Sequence, residues 1–69
     1  MKKGKLKFYN SIQETGLVID FETGKEYKVR SENLTSPLIK GGDNVIFEIA
    51  NGKDGLNAVN VRPDIFKLN

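Results

Sequence analysis

The chain has no cysteine and no histidine. The first absence removes any disulfide framework and any thiol nucleophile; the two together remove the usual zinc ligands and the commonest general base. Ser11, Thr15, Thr23, Ser31, Thr35 and Ser36 have no imidazole partner, and no lysine is distinctively placed to activate one. Asp43, Glu48 and Asp54 do not follow the spacing of a metal loop. The expectation is a protein without enzymatic activity, cofactor or metal. Long apolar runs are also missing. Nothing approaches a membrane span, and the basic opening Met1-Lys-Lys-Gly-Lys-Leu-Lys7 lacks the apolar stretch of a signal peptide. A soluble, cytoplasmic monomer without a membrane partner follows as the expectation. Repeats, low-complexity segments and domain linkers are absent too, and no window carries an amphipathic-helix stripe.

What the 69 residues do hold is short apolar and β-branched runs separated by turn residues, the signature of an all-β domain. A domain of this size buries only roughly 60% of the surface exposed by its unfolded chain, so its core must be compact. Five strands are expected. The first covers about Gly4 to Asn10 and the second about Gly16 to Phe21, closed by a turn at Glu22-Thr-Gly24-Lys25 where glycine supplies positive φ. The third covers about Glu26 to Arg30. Ser31 to Leu34 suits one turn of helix or 3₁₀, Pro37 stops its continuation, and Gly41-Gly42 bends a long loop. The fourth strand, about Asn44 to Ala50, alternates Val45, Phe47 and Ile49 against Glu48. After a loop over Asn51 to Gly55, the fifth runs from about Leu56 to Arg62, and Pro63 ends it because proline has no ladder donor.

Five short strands as a flat sheet would leave one wet face and two unpaired edges, whereas closure removes the edges and encloses a core. The expected architecture is a five-stranded antiparallel Greek-key OB-fold barrel over residues 1–62. Residues 63–69 form a tail in which Ile65, Phe66 and Leu68 dock on the barrel or, alternatively, pair two copies. Leu6, Val18, Val29, Val45, Phe47, Ile49 and either Ala58 or Val59 are expected to fill the interior. Gly4, Gly16 and Gly55 fall near strand starts, where a small barrel bends or its backbones approach. Ile12, Leu17, Ile19 or Phe21, Ile39 and Ile46 are expected to be at least partly exposed.

Both ends of the chain carry a recognisable order. Gly4, Leu6, Lys7, Phe8, Tyr9 and Asn10 open it; Gly42, Val45, Phe47, Gly52, Gly55, Ala58, Asn60 and Val61 close it. In that order and spacing the chain resembles the bacterial cold-shock domain, with Phe8 where that family has tryptophan. The resemblance covers about Lys3 to Val61 and is thin in the middle. Gln13-Glu-Thr-Gly-Leu-Val18 aligns with the family's Lys-Gly-Phe-Gly-Phe-Ile and keeps only Gly16 and the apolar Val18. Tyr27-Lys-Val-Arg-Ser31 aligns with Val-Phe-Val-His-Phe and keeps Val29, with Tyr27 inward. Inward positions survive; outward, base-stacking ones do not.

The resemblance implies single-stranded RNA or DNA as partner, held by stacking on exposed rings over a cationic groove. Phe8 would stack, Lys7, Lys28 and Arg30 would meet phosphates, and Tyr9, Lys5 and Leu17 stand at the margin. Arg30 can both stack on a base and fork onto phosphate. With Thr15, Leu17, Lys28 and Ser31 in place of rings, each worth about 1–3 kcal/mol per base, binding should be weak and indifferent to sequence. Three features set the alternatives. Strict alternation puts Phe8 on the face of Leu6, so an outward Phe8 requires a bulge in strand one. The net charge is only +2, and Glu14, Glu26, Glu32 and Asp54 dilute the cations, which also serve to discourage edge pairing. Aliphatic residues where rings are expected suit a protein partner better than a base, which makes a protein-interaction module on the same barrel the alternative.

Overall fold

A computed structural model describes residues 1–65. Its five strands are β1 (Lys2–Asn10), β2 (Thr15–Asp20), β3 (Glu26–Arg30), β4 (Asn44–Gly52) and β5 (Gly55–Pro63), with one 3₁₀ turn over Ser31–Asn33. They close into a barrel in the order β1-β2-β3-β5-β4. Four seams are antiparallel; the fifth, β3 against β5, is parallel and is registered by Lys28 opposite Asn57. The expected five-stranded barrel is thus present, with this one parallel seam among otherwise antiparallel pairings. Because β3 reaches β4 by the long loop and β4 returns through a hairpin, β5 enters the gap beside β3 running the same way. The expected loop over Asn51 to Gly55 shrinks to a turn at Lys53 and Asp54, since pairing continues to Gly52 opposite Gly55.

Leu6, Val18, Val29, Val45, Phe47 and Ala58 are fully buried, as alternation predicts, and Tyr27 packs inward with its ring 6.4 Å from that of Phe47. The choice left open between Ala58 and Val59 falls to Ala58. Ile49 only packs against the rim of this core. Two core residues depart from the sequence pattern. Val61 is fully buried, and Ile39, expected to be exposed, is only 7% accessible because the β3–β4 loop folds it over the barrel.

Val61 points inward because β5 is bulged. Ile46 opposes Arg62 and Glu48 opposes Val59, so β5 spends three residues where β4 spends two. Asn60 takes the left-handed conformation, φ 52°, which asparagine tolerates better than most residues. The extra residue shifts the alternation by one and puts Val61 on the same side as Ala58. The Val61 carbonyl then accepts both the Thr35 N–H at 2.9 Å and its hydroxyl at 3.1 Å, which pins the long loop.

The β2–β3 turn is organised by Asp20, a fully buried carboxylate. Its Oδ1 accepts the Glu22 N–H at 2.8 Å, and Lys2 Nζ lies 3.0 Å from its Oδ2. Gly24, at φ 78°, donates its N–H to the Asp20 carbonyl. Burial alone would push the Asp20 carboxyl up, but the Glu22 amide and the Lys2 ammonium outweigh it and hold the group below its ordinary range. At the other end, β5 extends through Pro63, and the Asp64 N–H donates to the Asn44 carbonyl at 3.0 Å. Ile65 is 77% exposed; Phe66 and Leu68, the other residues of the expected docking tail, lie outside the described residues. Among the described residues no helix is long and apolar enough to cross a membrane.

Candidate nucleic-acid interface

The second bulge lies in β1. Leu6 opposes Val18 and Phe8 opposes Leu17, so Lys7 is the extra residue. Gly16 makes the bulge possible. A Cβ at Gly16 would collide with the Phe8 carbonyl oxygen, so only glycine lets β1 approach β2 this closely. Past the bulge the alternation is reversed, and Phe8 turns outward with 48% of its surface exposed.

Across the sheet Phe8 heads a row: Phe8 opposes Leu17, and Leu17 opposes Lys28. On β2 the half-buried Thr15, Leu17 and Ile19 alternate with the buried Gly16, Val18 and Asp20. On β3 the buried Val29 separates Lys28 from the exposed Arg30, which lies opposite Thr15. Lys5 lies opposite Ile19, which in turn opposes Glu26. Phe8, Leu17, Lys28, Arg30 and Lys5 therefore share the outer face of β1-β2-β3, with Lys7 at its bulge.

Tyr9 does not join them. The same alternation that turns Phe8 out turns Tyr9 in, where its ring passes over Gly16 and packs against the core. It forms one wall of a groove of about 530 Å³ with Ser31, Leu34, Thr35, Pro37 and Ile39. A second hollow, about 350 Å³, borders the outer face beyond Arg30, between Asn33 and the β4–β5 residues Asn51 and Asn57.

The charges on the outer face are partly spoken for. Lys7 Nζ lies 3.0 Å from Glu26, and Lys28 Nζ lies 3.1 Å from Asp54 on the β4–β5 turn. Hydrogen bonds from Lys28 and from its own backbone N–H, aided by the charges of Lys28 and Arg30, hold the Asp54 carboxyl below its ordinary range. Lys5 and Arg30 carry no ion pair among the described residues. The sequence shows the acidic residues but not these pairings, whose members stand 19 and 26 positions apart and meet only through the barrel. Exposed pairs of this kind are worth little and exchange partners readily. The face thus offers one ring, two aliphatic neighbours, two open cations and two cations on carboxylate tethers. Among the described residues no group of three or more acidic side chains gathers as a metal site would require. Compared with known proteins, the chain matches no family model and no curated protein.

Proposed function

We propose that this domain is a divergent cold-shock-like OB barrel that binds single-stranded RNA or DNA weakly and without sequence preference, as a cytoplasmic, non-enzymatic protein. The observation that carries this reading is the β1 bulge, which presents Phe8 on the same sheet face as Leu17, Lys28 and Arg30. An exposed ring stacks on any base, since every base has a π-face, and surrounding cations follow the phosphates. Leu17 widens the apolar floor; Arg30 and Lys5 supply open positive charge. Lys7 and Lys28 exchange their carboxylate partners for phosphate, which lowers their contribution.

A titration with a labelled oligonucleotide at several salt concentrations tests it. Two open cations give a salt slope of about −1.4, rising in magnitude to about −3 when both tethered lysines also engage. Arg30→Ala and Phe8→Ala should each weaken binding. No binding by the parent chain at millimolar concentration overturns the reading. A protein-interaction module on the same face is the second reading, favoured by the tethering of Lys7 and Lys28, which leaves Phe8 and Leu17 more apolar than a phosphate track requires. It predicts no oligonucleotide shift, and capture of a protein partner that Leu17→Asp abolishes at any salt.

A further inference from the structure

Among the described residues, one aromatic side chain has no place in either the core or the site around Phe8. Phe21 follows β2 at the start of a turn otherwise built from Glu22, Thr23, Gly24 and Lys25, and it is 57% exposed. The turn itself is held by Asp20 and Gly24, so nothing in its geometry calls for a ring. Its position is nonetheless fixed: the Phe21 N–H donates to the Lys3 carbonyl at 3.1 Å, which continues the β1–β2 ladder by one step. Outward residues on β2 recur at every second position, so Leu17, Ile19 and Phe21 form one line.

We propose that the nucleic-acid path does not end at Phe8 but runs along β2 over Leu17 and Ile19 to Phe21, which serves as a second stacking ring. The inference rests on the reading of the outer face given above and extends it by a site. At about 3.3 Å per residue, Phe21 lies about 13 Å along the strand from Leu17, the residue opposite Phe8. Two rings so spaced, joined by aliphatic side chains, form a floor for several successive bases.

The charge around that floor argues for a polyanion over a protein. Lys5 opposes Ile19 on the β1 side, Lys3, whose Nζ lies 4.0 Å from Asp64, flanks Phe21, and Lys25 stands across the turn. The acidic neighbours are engaged: Lys2 lies 3.0 Å from Asp20 and 3.1 Å from Glu22, and Glu26 is held by Lys7. An apolar lane with lysines along its border matches a chain of bases edged by phosphates.

The experiment compares the affinity of oligothymidylates from about three to about twelve nucleotides, within and just below the usual site sizes of OB folds. Phe21→Ala should weaken the longer ones by about fivefold or more and leave the shortest within about twofold. Phe21→Leu should lose as much, because it keeps apolar surface without a ring. Phe21→Trp should retain the affinity and, as the chain's only tryptophan, lose fluorescence on saturation with a long oligonucleotide. Parent-like affinity of Phe21→Ala at every length overturns the inference and leaves Phe8-centred binding intact, as does unchanged tryptophan emission at saturation. Failure of the parent chain to bind any length overturns both. A concentration-dependent dimer that Phe21→Ala abolishes, with oligonucleotide affinity unchanged, assigns the ring to a protein contact and also overturns it.

Discussion

β1 and β5 each carry a bulge, and the chain uses the same device for opposite ends. In β1 the extra residue is Lys7, and the shifted alternation turns Phe8 out to solvent. In β5 the left-handed Asn60 marks the shift, which turns Val61 into the core. A strand's periodicity says which residues share a face only until a bulge intervenes; beyond it, every side chain changes sides. One bulge therefore builds the candidate site and the other completes the barrel. Substitutions at the two should separate cleanly into effects on binding and effects on stability.

The largest separation is expected from the inward product of the β5 bulge. Val61→Asp places an unpaired charge in the core and should destabilise the domain by about 3–5 kcal/mol, read as loss of the folded baseline in urea. Its outward counterpart, Phe8→Ala, should leave stability within about 1 kcal/mol of the parent, because the side chain is already half in water. In an oligonucleotide titration the same change should cost about 1–3 kcal/mol of binding, fivefold or more in affinity. If Phe8→Ala unfolds the domain, its ring belongs to the core and the contrast between the bulges is lost.

The next effect concerns the backbone. Asn60→Val puts a β-branched residue at φ 52° and should cost about 1–2 kcal/mol in thermal or urea unfolding, with oligonucleotide binding unchanged. Smaller still is the effect of releasing a tethered cation. Asp54→Asn frees Lys28 and should tighten binding by a few fold at low salt, a gain that vanishes in Lys28→Ala. A weaker complex would mean that Asp54 assists the site rather than competing with phosphate. Acid provides the mildest perturbation. The Asp20 carboxyl is held below its ordinary 3.8, so its contribution is complete above that pH and fades as pH falls below it through the lowered value. In Asp20→Asn, urea midpoints should depend less on pH across this window.

Much of the barrel was legible because four strands obey simple alternation over the stretches that matter. Leu6, Val18, Val29, Val45 and Phe47 were readable as core on that ground alone. The closed order of strands then follows from the need to hide edges in so short a chain. Val61 was not readable, since nothing in Ala58-Val-Asn-Val61 announces a left-handed residue; asparagine is only permissive there. Ile39 sits in a loop without periodicity, and its burial depends on where that loop lands. The site was legible in part. An outward Phe8 was expected only if β1 carried a bulge, and that bulge is present. Tyr9, next to Phe8 in sequence, packs against the core instead, because adjacent strand residues face opposite ways. The tethering of Lys7 and Lys28 is a tertiary fact with no local signature.

The most direct test of the account is amide NMR during titration of the parent chain with a short oligothymidylate at low salt. Shifts should concentrate on Lys5 to Phe8, Thr15 to Ile19 and Lys28 to Arg30, and leave Leu34, Thr35 and the rest of the Tyr9 groove unmoved. Shifts confined to that groove, or none at millimolar oligonucleotide, would contradict the claim that the bulge in β1 presents Phe8 for stacking.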